Sequence, residues 1–204
     1  MIWNGIGELF GVGPAHSPGK TPFKDIFELK PAHYIVLNPE MFYHEEYWKL
    51  EPKYHYDDLD TTCEKIRNLM VDSVKRQMQS DVPICSLLSG GLDSSIITAI
   101  ASEAYREQGK QLETFSVDYV DQEKNFVKND FQPNLDMEYI SLMVEKLGTK
   151  HRKIVLDTPE LYDSLEQAMM ARDMPGMADV DSSYLLFFKE ISQTNKVALS
   201  RRMF

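Results

Sequence analysis

The chain predicts an α/β protein built on a doubly wound parallel sheet, and three features carry that prediction. From about Val82, apolar runs of strand length alternate with segments whose apolar residues recur at helical spacing. The first run, Ile84 to Leu88, passes directly into Ser89-Gly90-Gly91-Leu92-Asp93-Ser94-Ser95 and then into the helical pattern Ile96 to Tyr105. Strands separated by helices need crossovers, so they lie parallel with helices on both faces and place ligands at their carboxyl ends.

The elements follow in order. Residues 1–57 read as a small β element: a Gly/Pro-rich loop from Gly11 to Pro22, then strands Phe23 to Leu29 and His33 to Leu37 around Lys30-Pro31. The stretch holding Tyr43, Tyr47, Trp48, Tyr54 and Tyr56 is interleaved with Glu45, Glu46, Glu51, Asp57 and Asp58, and reads as an interdomain linker packing on a helical layer. Leu59 to Gln79 carries Ile66, Leu69, Met70, Val74 and Met78 on one stripe, an amphipathic helix expected to pack on the sheet.

Thr114 to Tyr119 is the second strand of the sheet, and Asp118 to Asp136 a polar loop longer than the usual connection of about 2–6 residues. Met137, Ile140, Val144 and Leu147 form a helix that Gly148 caps, and His151 to Leu156 is the third strand. Thr158-Pro159 opens a helix running to about Ala171, Asp173 to Asp179 is a Pro/Gly loop, Asp181 to Ser192 is helical, and Lys196 to Ser200 is the last strand.

Composition bounds the function. The chain has 204 residues, 43% of them hydrophobic, enough for a sizeable core in one or two domains. A net charge of −10 argues against a nucleic-acid surface, which needs a basic patch. No apolar run approaches the roughly 18 residues of a membrane span, and the N-terminus lacks a signal-peptide pattern, so the cytoplasm is the expected compartment. Cys63 and Cys85 read as reduced thiols, and His16, His33, His44, His55 and His151 show no metal-ligand spacing.

The glycine segment carries the chemistry. Gly90 and Gly91 let the backbone approach an anion, Ser89, Ser94 and Ser95 add small donors, and the following helix aims unpaired N–H groups at the same place. Each charge-assisted hydrogen bond to a phosphate is worth roughly 1.5–3 kcal/mol, so three or four suffice for useful nucleotide affinity. Asp93 would repel a phosphate unless a divalent cation, Mg²⁺, lay between them. The segment lacks the Gly-Lys-Ser/Thr of a Walker A loop and is not G-x-G-x-x-G. It resembles the Ser-Gly-Gly-x-Asp-Ser pyrophosphate loop of the ATP pyrophosphatase superfamily.

Taken with Val82-Pro83, Ser86-Leu87-Leu88, Thr114-Phe115-Ser116-Val117, Gly148-Thr149, Met174-Pro175-Gly176 and Asp181-Ser182-Ser183, the chain resembles glutamine-dependent asparagine synthetase over nearly its whole length. The resemblance implies an adenine nucleotide α-hydrolase-like sheet in residues 58–204, a remnant of a glutaminase-type β domain in residues 1–45, including Phe27-Glu28-Leu29-Lys30-Pro31-Ala32, and a linker at 46–57. It implies ATP and Mg²⁺ as cofactors, with aspartate and ammonia as substrates. Ser89, Gly90, Gly91, Leu92, Asp93, Ser94 and Ser95 would hold the β- and γ-phosphates, Asp93 would hold Mg²⁺ and act in catalysis, and Leu87 and Val117 would bind adenosine. Arg172, Asp179 and Asp181 are the candidates for aspartate, with surface ion pairs or helix caps as the competing reading.

The sequence also departs from that family. Ile2 stands where the family has a nucleophilic cysteine, and Ser200 is followed by Arg201-Arg202-Met203-Phe204 where the family continues into Gly-Glu and a nearby Asp-Glu. The expectation is a chain truncated at both ends that does not hydrolyse glutamine and adenylates poorly, unless a homodimer or a second chain completes the site. The alternatives are another adenylating ligase of GMP synthetase or β-lactam synthetase type, or a non-catalytic ATP-binding remnant.

Overall fold

The computed structural model describes residues 3–13, 17–128 and 134–200, with the side chain of Asp179 outside the description. The chain divides into two compact units, Met1–Tyr56 with Met169–Ala178, and Asp57–Ala168 with Asp179–Phe204.

The first unit opens with helix α1 (Trp3–Val12), which the sequence pattern did not predict. Phe23 to Leu29 is not a strand. The Thr21 hydroxyl accepts the Phe23 N–H at 3.2 Å and donates to the Ile26 carbonyl at 2.6 Å, tying this backbone into a turn in which Asp25 takes a φ of +61°. His33–Asn38 (β1) pairs instead with Met41–Glu46 (β2), an antiparallel hairpin with Asn38 opposite Met41. The Asn38 side chain accepts the Glu40 N–H at 3.0 Å and so fixes the two-residue turn. Tyr43 is thus a strand residue, with its hydroxyl bonded to Glu45. Tyr54 and Tyr56 are 88% exposed.

The second unit begins with α2 (Leu59–Gln77), whose N-cap Asp58 accepts the Thr61 N–H at 2.8 Å. Next come β3 (Ile84–Leu87), α3 (Leu92–Glu107), β4 (Glu113–Tyr119), the short α4 (Gln122–Asn125), α5 (Asp136–Leu147) and β5 (Lys150–Leu156). Gly148 ends α5 with a φ of +62°, its N–H bonded to the Val144 carbonyl at 2.9 Å, as its position predicted. The single helix expected to Ala171 is two: α6 (Thr158–Asp163) and α7 (Leu165–Arg172). They part at Ser164, whose hydroxyl bonds back to the Glu160 carbonyl at 2.7 Å and competes with the helical ladder. The last elements are α8 (Ala178–Ile191) and β6 (Val197–Leu199).

All four strands of the sheet are parallel, in the order β5-β4-β3-β6. The chain lays its first three strands outward in one direction and then returns to the other side of β3, so the order reverses between β3 and β6. Strand alternation sends Ile84 and Leu199 to one face, where they pack with Val74 of α2 and Ala101 of α3. Cys85, Phe115, Leu87 and Ile154 point to the other, against Phe187 and Ile191 of α8. Helices therefore cover both faces, and the predicted doubly wound sheet is what the chain forms. Burial raises the Cys85 thiol to about 11, so it is a neutral core group at ordinary pH. Only the C-terminal half of α2 packs as expected, because Ile66 and Leu69 remain more than half exposed beside β6.

Candidate functional site

The reversal of strand order places a crevice at the carboxyl end of β3, the position where open α/β sheets bind ligands. The glycine segment occupies it. Pairing with β4 runs one residue past β3, since the Leu88 N–H donates to the Phe115 carbonyl at 2.8 Å and Leu88 is 1% exposed. The chain then turns sharply. Gly90 adopts a φ of +76°, and a Cβ there would lie 2.7 Å from the carbonyl oxygen of Asp136 at the start of α5. Two constraints, the left-handed backbone and the close approach of another main chain, thus require glycine at this position.

Gly91 is the N-cap of α3, with extended backbone and no side chain to cap the first turn. Its carbonyl accepts the Ser95 N–H and the Ser94 hydroxyl, each at 3.1 Å. Ser94 is buried, and its oxygen also accepts the Ser89 N–H at 3.2 Å and lies 3.0 Å from the Ser89 hydroxyl. Ser94 therefore holds the loop shut from beneath. Gly91, Leu92 and Asp93 face solvent above it, where the first N–H groups of a helix lack intrahelical acceptors. The loop mouth thus presents backbone donors and one carboxylate, that of Asp93.

A cavity of about 380 Å³ adjoins the loop. Its apolar lining comes from Leu87, Val117, Ile140, Val180 and Phe187, and its polar lining includes Ser89, Asp118, Tyr119, Asp136, Ser183 and Tyr184. The Tyr119 hydroxyl and Ser183 Oγ lie 2.7 Å apart and join β4 to α8 across it. Asp118 is satisfied locally: one oxygen takes the Tyr119 N–H at 2.9 Å and the other pairs with Lys153 at 3.1 Å. Asp136 stands at the cavity rim with its residue surface still open to solvent, yet partial desolvation by the surrounding protein raises its carboxyl above the usual range. Burial likewise raises Tyr184, and the charges of Tyr119 and Asp181 add to that shift.

The structure therefore brings Leu87, Val117 and the Ser89 to Ser95 loop to one crevice. Asp181 stands on α8 between the lining residues Val180 and Tyr184, whereas Arg172 ends α7 in the other unit. Asp179 lies in the first turn of α8. Asp136, Tyr119, Ser183 and Tyr184 escaped the sequence reading, because residues far apart in the chain meet only through the sheet order. One signal was present: Asp136 opens the helical pattern that directly follows the long polar loop.

Mg²⁺ is normally held by one or two carboxylates together with substrate phosphates, and the loop offers that arrangement through Asp93 beside backbone donors. Among the described residues no cluster of three or more acidic, histidine or cysteine side chains forms a self-sufficient metal cage. The donor set thus fits a cation shared with a phosphate ligand.

A doubly wound parallel sheet with a glycine loop and an apolar cavity at its switch point places the chain among the open-sheet α/β proteins. The asparagine synthase family profile matches residues 65–201, and the chain belongs to that family. It is 46% identical over 197 residues, 96% of its length, to asparagine synthetase [glutamine-hydrolyzing] 3 of Bacillus subtilis. A second relative, the amidase chry2 of Gibberella zeae, is 32% identical over 95 residues, 44% of this chain and 14% of the amidase. The chain spans about a third of the Bacillus relative, 32% of its length. Among solved structures, NAD+ synthetase from Burkholderia pseudomallei aligns over 71% of this chain and 63% of its own at 13% identity, with a TM-score of 0.37. No helix among the described residues is long and apolar enough to cross a membrane.

Proposed function

We propose that this chain provides the nucleotide site for ATP-dependent adenylation of the aspartate side-chain carboxylate, the activating half of asparagine formation. The observation that carries the reading is the glycine loop, locked by Ser94 and by Asp136 against Gly90, opening at the switch point of the sheet beside an apolar cavity. Family membership supports the same reading.

The chemistry calls for such a site. A carboxylate resists attack by an amine because oxide is a poor leaving group. In adenylation a carboxylate oxygen attacks the α-phosphorus of ATP, the bond to the β-phosphate oxygen breaks, and pyrophosphate leaves with that electron pair. Ammonia then attacks the acyl carbon, loses a proton, and AMP departs. The negative charge that grows on pyrophosphate would be met by the Gly91 and Leu92 N–H groups at the start of α3, since donors fixed in advance stabilise charge without reorganising. Mg²⁺, bound through Asp93 and the phosphates, would neutralise further charge.

On this reading Ser89, Gly90, Gly91, Leu92, Asp93 and Ser95 face the β- and γ-phosphates, while Ser94 shapes the loop that does so. Leu87 and Val117 flank the adenosine. Asp181, on α8 beside the cavity, is proposed to contact aspartate, and a cytoplasmic setting would supply the ATP. The test is aspartate-dependent exchange of labelled pyrophosphate into ATP by the folded 204-residue chain, with Asp93→Ala as control. Exchange that disappears in the variant supports the reading. Folded protein that shows no exchange with aspartate contradicts it.

A further inference from the structure

Two carboxylates line the cavity beside the glycine loop, and they differ in what holds them. Asp118 is engaged by the Lys153 ammonium and the Tyr119 N–H. Asp136 stands at the cavity rim and, among the described residues, has no ion pair or side-chain hydrogen bond of its own. Its main chain fixes its place, because the Asp136 carbonyl oxygen lies 2.7 Å from where a Gly90 Cβ would be, at the loop end of the cavity.

A carboxylate at that position would repel a phosphate and gains nothing from an apolar base. Between phosphates on the loop and a base among Leu87, Val117 and Phe187, a nucleotide places its sugar, whose hydroxyls are hydrogen-bond donors. A carboxylate accepting ribose hydroxyls beside a glycine phosphate loop is a solution other nucleotide folds also use. We propose that Asp136 accepts hydrogen bonds from the ribose hydroxyls of the bound nucleotide and makes this site select ribonucleotides over deoxyribonucleotides. The inference rests on the nucleotide reading above and adds a residue and a specificity to it.

A plainer role exists for an aspartate in the first turn of a helix, where it complements the macrodipole. That role needs no ligand and gives no discrimination between sugars. The experiment is calorimetric titration of the full chain with Mg-ATP, 2′-deoxy-ATP and 3′-deoxy-ATP, for wild type and Asp136→Asn. A charge-assisted hydrogen bond corresponds to a factor of about ten to a hundred in affinity. Wild type should bind ATP tighter than at least one deoxy analogue by about that factor, and Asp136→Asn should bind ATP as weakly as that analogue. Equal binding of all three by wild type overturns the assignment without touching the nucleotide reading, and so does discrimination that persists in Asp136→Asn. If Asp136→Asn fails to fold, Asp136→Ser is titrated in its place, with the same two outcomes. Failure of wild type to bind ATP at all overturns both.

Discussion

Replacing Gly90 with alanine tests the loop geometry most sharply, since two independent costs meet at one atom. A non-glycine residue at the observed φ of +76° pays about 1–2 kcal/mol for the left-handed conformation. Its Cβ would also stand 2.7 Å from the Asp136 carbonyl oxygen and 3.3 Å from the Asp136 Cα, so main chain rather than a flexible side chain must move. Displacing packed backbone costs about 1–3 kcal/mol more. The sum is about 2–5 kcal/mol, and for a chain of this length each kcal/mol lowers the melting temperature by about 2–4 °C. Gly91→Ala is the matched control: Gly91 has extended backbone, and a Cβ there would meet only Ser89 Oγ, at 3.6 Å. Urea unfolding followed by circular dichroism should therefore show a clear loss for Gly90→Ala and a change below about 1 kcal/mol for Gly91→Ala. Equal losses in the two variants would refute the argument that Gly90 is braced against α5.

Ser94→Ala should cost about 1–3 kcal/mol in the same assay, because the Ser89 N–H and Gly91 carbonyl lose a buried partner, whereas Ser95→Ala should cost far less. Asp93→Asn should abolish the Mg²⁺ dependence of ATP affinity measured by titration, and an unchanged dependence would remove Asp93 from the cation site. His151 bridges β5 and β4, its Nδ1 at 3.0 Å from the Thr114 hydroxyl and its Nε2 at 3.0 Å from that of Ser116. Burial, with a smaller contribution from Lys153, lowers its pKa, so the folded state resists protonation more than the unfolded state does. Its stabilisation is complete above the unfolded value of about 6.5 and is lost as pH falls below that toward the lowered folded value. Stability should thus drop as pH falls from neutrality through about 6.5 in wild type, and less steeply in His151→Gln. Identical slopes would exclude the histidine.

The features legible in the sequence were those set by local rules. The strand, glycine turn and helix start of 84–105, the Gly148 cap and the alternation that dictates a parallel sheet all follow from residue type and spacing. The hairpin is not legible in the sequence, because Phe23 to Leu29 has strand composition but its backbone is captured by the Thr21 hydroxyl, and the tyrosine-bearing Met41–Glu46 is the partner of β1 through a turn that Asn38 fixes. In the candidate site the loop was readable and the cavity was not. Val117, Asp136 and Phe187 converge only because β4 lies beside β3 and α8 packs on the face that carries Cys85 and Phe115, an order no local pattern encodes. Ser94, too, looked like one more donor until its burial showed that its bonds stay within the loop.

The glycine loop and the cavity beside it are proposed to form one nucleotide site. Amide hydrogen exchange of the full chain, followed by mass spectrometry with and without Mg-ATP, tests it directly. Slowed exchange is expected at residues 89–95 of the loop and at 116–119 of β4, with the β1–β2 hairpin unchanged. Protection confined to other segments, or none at saturating Mg-ATP, would contradict it.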